Sequence, residues 1–226
     1  MKFKAIVSIC ATATAIALSA TSASAADIAT SLDLGSTGFG LHLTTPLASQ
    51  LNARVGVNFA NYKYDGSTSD IDYDFKLKLA TFDALLDYHP FDGAFRLSAG
   101  AVYNGNKIDA RGKPTGAGTY DINGNIYSAA AVGNLDGKID FRKVAPYLGI
   151  GWGNAVKTAG WGFGMDLGVT FSGSPKTHLA SSGCTLSTTL CAQLSRDIAA
   201  ENAKLADEVD DFKFYPVIRV GASYRF

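Results

Sequence analysis

Residues 217–226 read VIRVGASYRF, and their alternation decides the fold. Ile218, Val220, Ala222, Tyr224 and Phe226 share one parity and are apolar or aromatic. Arg219, Gly221, Ser223 and Arg225 share the other and are polar or small. A period of two is that of a pleated strand with one oily face and one wet face. The oily face meets either lipid or a protein core. A soluble barrel or sandwich also alternates, but with its apolar rows turned inward. The polar rows here are rich in glycine and carry both signs of charge, which suits a crowded lumen and favours lipid on the other side.

The amino terminus gives an address. Lys2 and Lys4 precede an alanine-rich apolar stretch, Ala5 to Ala20, and Ala23-Ser24-Ala25 is a small-residue cleavage site. Residues 1–25 are therefore read as a signal peptide and 26–226 as the mature barrel. Without the two lysines, 18 basic side chains face 20 acidic ones, so nothing basic points to nucleic acid. Beyond this segment no apolar run approaches the ~18 residues of a membrane helix, so a membrane crossing has to be made by strands. Cys10 leaves with the signal, and Ile9 before it is too large for a lipid-attachment box. Cys184 and Cys191 remain, and a pair in an exported chain reads most simply as a disulfide. Only His178 lies near them, so a metal ranks below a staple. No cofactor is expected.

Alternation recurs along the mature chain. Leu51 to Phe59, Ile71 to Leu79, Phe95 to Tyr103 and Trp161 to Phe171 are apolar at every second position. After Leu79 the apolar parity switches to Phe82, Ala84, Leu86 and Tyr88. A bulge near Ala80-Thr81 would produce that switch, and so would deeper pairing of the strand there. Three connections are short (46–50, 90–94, 153–160), while 105–137 and 172–211 are long and 64–70 is intermediate. Short turns on one side and long loops on the other are the layout of an outer-membrane barrel. The reading is thus an all-β, transmembrane, antiparallel up-and-down barrel of about eight strands. The crossings fall at 27–34, 37–46, 51–64, 71–88, 95–108, 138–152, 161–171 and 212–226, with 27–46 open to an alternative as one bent strand. Tyr62, Tyr88, Tyr103, Trp152, Trp161, Phe171 and Phe214 sit near strand ends, as interfacial rings do.

If the apolar parity faces lipid, the other parity lines the lumen. That assigns Arg54, Asn58, Asp72, Asp74, Lys76, Lys78, Arg96, Asp166, Arg219 and Arg225 to the interior. Eight strands enclose little more than side-chain space, so charges there have to pair. A self-neutralised plug competes with a narrow pathway lined by charged rings. A terminal strand with aromatic or apolar residues at every second place, ending in Phe226, also reads as an assembly signal. Tyr224 and Phe226 would carry it to the outer-membrane barrel assembly machinery.

Several blocks carry a family resemblance: LGSTGFGLHL at 34–43, LDYHPFDGAFRLSAGAVYN at 86–104, YDINGNIY at 120–127, KVAPYLGIGWGN at 143–154, GWGFGMDLGVTFSGSPK at 160–176 and FYPVIRVGASYRF at 214–226. Together they resemble small Gram-negative outer-membrane barrels of the carbapenem-susceptibility porin (CarO) type, with OmpW-like barrels more distant. The resemblance implies an eight-stranded barrel in the outer membrane, surrounded by its lipid, with a role in uptake of small solutes. It names no solute.

The loops offer the remaining candidates. Asn123-Gly124 is a strong hairpin signal, because both turn residues take positive φ. Leu190, Leu194, Ile198, Leu205 and Val209 recur at helical spacing, predicting an amphipathic helix in the last extracellular loop that caps the mouth. Its acidic end, Asp207 to Asp211, reads first as a solvated face. For catalysis, Ser174 and His178 are the only neighbouring hydroxyl–imidazole pair, His42 lies on a polar parity and His89 beside a turn proline. No GxSxG, HExxH or phosphate loop is present, so no catalytic residue is assigned. The function expected is a narrow channel or uptake porin for small hydrophilic solutes. The alternative is a non-conducting barrel with a structural, adhesion or partner-binding role through its loops.

Overall fold

A computed structural model describes residues 27–67 and 72–226, with side chains described outside 63–75. The signal segment 1–25 lies outside the described residues. Eight strands form the barrel: β1 (Ala29–Gly35), β2 (Gly38–Ala48), β3 (Leu51–Ser67), β4 (Asp72–Tyr88), β5 (Phe95–Asn104), β10 (Val144–Trp152), β11 (Gly160–Phe171) and β13 (Phe214–Arg225). Each pairs antiparallel with its neighbours in that order, and β13 returns to pair with β1 from Ala29↔Arg225 to Gly35↔Arg219. The sheet is therefore closed. Residues 27–46 make two strands around the tight Ser36-Thr37 turn, not one bent strand.

Outward positions carry the oil. Leu43, Val57, Phe82, Leu148, Phe163 and Val220 are all exposed on the outer wall. Edge-to-face ring pairs, Trp161–Tyr224 and Phe95–Trp152, lie near the short-turn end, and Phe171–Phe214 lies at the other. Inward positions are polar and buried: His42, Arg54, Asp83, Asp87, Arg96, Asp166 and Arg219. A closed barrel that is apolar outside and charged inside has the solvation pattern of lipid, not water. The turns after β2, β4 and β10 and both ends of the described chain share one rim, which faces the periplasm in barrels of this kind, while the Ser36-Thr37 turn lies at the opposite rim.

The long connections are not structureless. Between β5 and β10 lie β6 (Lys107–Lys113), β7 (Thr119–Ile122), β8 (Asn125–Ser128), the one-turn α1 (Ala129–Val132) and β9 (Leu135–Asp140). Between β11 and β13 lie β12 (Lys176–Ser181) and α2 (Thr188–Val209), followed by a 3₁₀ turn, Asp210–Lys213. β6 pairs with the upper part of β4, β9 with β6, and β12 with β9. The barrel wall thus continues outward as a half-sheet. β7 and β8 form a separate hairpin whose turn residues Asn123 and Gly124 have φ of 54° and 78°.

The half-sheet reverses the solvation of the barrel. β3 and β4 stay in one register from Leu51↔Tyr88 to Ser67↔Asp72, with no bulge at Ala80-Thr81. Inward parity is therefore constant, and Leu77 and Leu79 point the same way as Asp83 and Asp87. Ile108, Ile139 and Leu179 follow them inward, while Lys78 pairs with Asp109 and Arg111 with Asp136 on the outside. Above the membrane the outer face meets water, so an ordinary apolar core is the stable arrangement. α2 fills this concavity. Ser187 caps it by accepting from the Leu190 N–H. Leu194 and Ile198 pack with Tyr120, Leu135 and Leu179, while Leu205 and Val209 pack with Ile108 and Ile139. Each such buried side chain contributes about 1.5–3 kcal/mol. Leu190, expected on the apolar stripe, is half exposed. The bond Cys184–Cys191 closes the loop leading into the helix.

Candidate functional site: a charged septum between two cavities

Inward side chains from seven strands meet near the periplasmic half of the lumen. Asp166 on β11 accepts from Arg54 on β3 (Nη1 2.8 Å, Nη2 3.2 Å) and from Arg96 on β5 (Nη2 2.8 Å). Asp87 on β4 accepts from Arg54 Nη2 at 3.0 Å and from the Ser98 hydroxyl at 2.5 Å. Arg219 on β13 donates from Nη1 to Asp83 Oδ2 (3.1 Å), and its Nε stands 3.8 Å from Asp166. His42 on β2 holds Asp33 of β1 through Nδ1 at 2.6 Å. Asn58 donates to Asp83 at 2.8 Å. Opposite charges at this range, away from water, bind far more strongly than at a surface, and each has at least one partner.

Glycines make the septum fit. A Cβ on Gly56 would lie 2.0 Å from the His42 ring, and one on Gly221 would lie 2.1 Å from Asp33 Oδ1. Gly149 and Gly168 leave the same room for the Tyr147 ring. Directly above the charges, Tyr147 packs with Leu85, Val102 and Val217, all buried.

A cavity lies on each side. The extracellular one measures about 110 Å³, has mostly apolar walls, and has Asp83, Asn58 and Arg219 at its floor. The periplasmic one, about 30 Å³, is lined by Asp33, Thr44, Asn52, Arg54 and Arg96.

The sequence assignments distribute as follows. Arg54, Asn58, Arg96, Asp166 and Arg219 are buried together in the septum. Arg225 sits at the periplasmic rim, bonded to Asp27 and to the Val156 carbonyl. Lys76 and Lys78 are a correction: they are exposed on the outside of the half-sheet, because the wall runs on without a bulge while its chemistry inverts. The side chains of Asp72 and Asp74 lie outside the described residues. Tyr224 and Phe226 are exposed at the rim with their rings in contact. Asp33, His42, Asp83 and Asp87 belong to the septum and were not assigned to it. Their shared parity with Arg54 and Arg219, and the glycines opposite His42, were the available signals. Ser174 donates to Asp210, whereas His178 is exposed on β12 opposite Lys138, so the structure does not assemble them as a hydroxyl–base pair. His89 is buried in a periplasmic turn between Asn52 and the Gly93 carbonyl.

Outside the membrane, Asp197 of α2 ties down the hairpin. It accepts from Tyr127 (2.5 Å), Asn125 (3.0 Å), Asn123 (3.3 Å) and Gln193 (3.2 Å). The Tyr127 hydroxyl and these amides hold its carboxyl below the usual range, and burial beside that carboxylate pushes Tyr127 up to about 12.

No family model and no curated sequence matches the chain. Solved structures do. Acinetobacter baumannii CarO2 superposes with a TM-score of 0.57 and 24% identity, over 88% of this chain and 98% of that one. A. baumannii CarO gives 0.55 and 21%, over 88% and 97%. The chain has the CarO fold. That fold, the closed wall and the oily exterior make it a bacterial outer-membrane barrel.

Proposed function

We propose that the protein is an outer-membrane barrel with an occluded lumen, whose working surface is its extracellular half. One observation carries this reading: Arg54, Arg96 and Arg219 meet Asp83, Asp87 and Asp166 across the lumen, all of them buried. An eight-stranded interior has room for side chains or for a solute, not for both at once. In this reading outer-membrane lipid is the solvent of the wall, and Tyr224 and Phe226 are the signal offered to the assembly machinery. Neither nucleic acid nor a cofactor takes part.

The narrow uptake pathway for small hydrophilic solutes stays as a second reading because of the cavities. They end on opposite sides of the same charge cluster. Purified barrel in planar bilayers and in liposome-swelling assays separates the two. Occlusion predicts no steady conductance and no swelling with small sugars or amino acids. Steady conductance from demonstrably folded protein replaces the first reading with the second.

A further inference from the structure

The half-sheet leaves the barrel wall through a band of exposed cations. On that flank Phe82, Tyr103 and Val144 stand in register across β4, β5 and β10 and face outward. Higher on the same face a charged row follows in register: Lys78 on β4, Lys107 on β6, Asp140 on β9 and Lys176 on β12. Arg142 and Lys143 occupy the step between the two rows, where the Lys143 carbonyl accepts from the Asn104 N–H beside Tyr103. All of these charged residues are exposed. From Phe82 to Lys78 the strand rises about 13 Å, and a tilt of about 40° leaves about 10 Å along the membrane normal. The headgroup layer is about 5–8 Å deep outside the hydrocarbon, and the long stems of lysine and arginine reach back toward it. The band therefore stands at the level of lipid phosphates.

The band is also short of anions. Lys78 is taken by Asp109 at 3.1 Å. Among the described residues Lys107, Arg142, Lys143 and Lys176 form no ion pair, although Asp140 stands in register between Lys107 and Lys176. Lys78 and Lys107 lie directly opposite each other, and like charges so placed repel. Asp210, bonded to Ser174, is already held by Lys213 at 2.6 Å. The far rim at residues 34–40 carries no charged side chain, so the band is not a general feature of the mouth.

We infer that this band docks the half-sheet on anionic lipid headgroups of the outer leaflet, with Lys107, Arg142, Lys143 and Lys176 donating to their phosphates. Arg142 offers a planar fork suited to phosphate oxygens, and the lysines offer point charges. The acyl chains of the same lipid lie on Phe82, Tyr103 and Val144 below. One molecule thus meets an oily wall and a cationic shelf together, which a free anion does not. The inference needs the wall to lie in the membrane, and it holds whether or not the lumen conducts.

Native mass spectrometry of the whole folded barrel, released from a neutral detergent, tests it. The probe is dioleoyl phosphatidic acid, and dioleoylglycerol supplies the same chains without phosphate. Each cation near an anionic surface is worth roughly fivefold in affinity. Phosphatidic acid should be retained at least about tenfold more tightly than the glycerol. The combined variant Lys107→Gln/Arg142→Gln/Lys143→Gln/Lys176→Gln should erase that preference. Lys157→Gln, which removes an exposed cation at the periplasmic rim, should leave it unchanged. Equal retention of the two lipids by the wild type overturns the inference without recourse to any variant. So does a preference that survives the combined variant, or one that Lys157→Gln lowers as much. Displacement of the bound lipid by millimolar inorganic phosphate at constant ionic strength identifies a soluble-anion site and overturns the lipid assignment.

Discussion

Replacing Asp166 by asparagine removes the charge on which three arginines converge. Arg54 keeps Asp87 at 2.9 Å, and Arg219 keeps Asp83 at 3.1 Å. Arg96 keeps the Gly153 and Met165 carbonyls, and its nearest remaining carboxylate is Asp87 at 3.9 Å. The variant therefore leaves one buried guanidinium without a close counter-charge. Truncating one side of a buried pair costs about 3–5 kcal/mol, a large part of the ~5–15 kcal/mol that holds a typical domain together. Urea unfolding in lipid vesicles, followed by the shift between folded and unfolded bands on electrophoresis, reads this out. The midpoint should fall steeply. The double variant Asp166→Asn/Arg96→Met restores the balance of charge and should recover most of the loss, since an apolar substitute for a whole pair is often neutral. A single variant that unfolds at the wild-type urea concentration would refute the claim that these charges hold the septum. A double variant no better than the single would refute the claim that charge balance is the reason.

Gly56→Ala puts a Cβ 2.0 Å from His42 Cδ2 and should cost about 1–3 kcal/mol by overpacking, whereas Gly116→Ala, with nothing within 4 Å, should stay within about 0.5 kcal/mol. Val57→Arg, on the lipid face, should cost about 2–4 kcal/mol, while Lys78→Ala on the water-facing half-sheet should be nearly silent in the same urea series. Docking of the β7–β8 hairpin should depend on pH at both extremes. The depressed Asp197 gives a contribution that is complete above the ordinary carboxylate pKa of about 4 and is lost as pH falls through its lower folded value. The raised Tyr127 gives one that is present below about 10 and is lost as pH rises toward 12. Hydrogen exchange across residues 119–128 checks both, and protection unchanged below pH 3 refutes the role of Asp197.

The barrel was legible wherever lipid imposes strict alternation. The β13 stretch, the row Phe95 to Tyr103 and the row Trp161 to Phe171 all took the faces their parity predicts. The half-sheet was not legible, because there the same parity changes meaning. Leu77 and Leu79 look like lipid-facing residues from sequence, yet they form a core, and Lys76 and Lys78 are pushed outward with them. Water replaces lipid outside the wall at that height, and a period of two carries no information about which solvent lies beyond it. The crossing read as 95–108 breaks at Gly105-Asn106, and that read as 138–152 breaks at residues 141–143; each continues as a half-sheet strand. For the septum, spacing alone brought out the arginines and Asp166. His42 and Asp33 need the glycines of neighbouring strands to find space, and that complementarity appears only once the register is known.

The seam between β1 and β13 joins the two ends of the described chain. Until it forms, both strands present open edges, and every other ladder is a hairpin-like pairing of nearer neighbours. Closing the seam demands the longest search along the polypeptide, so it should be the slow and vulnerable moment of biogenesis. Loss of β13 would leave not a seven-stranded version of the same object but a sheet with two adhesive margins, a substrate for quality-control proteolysis.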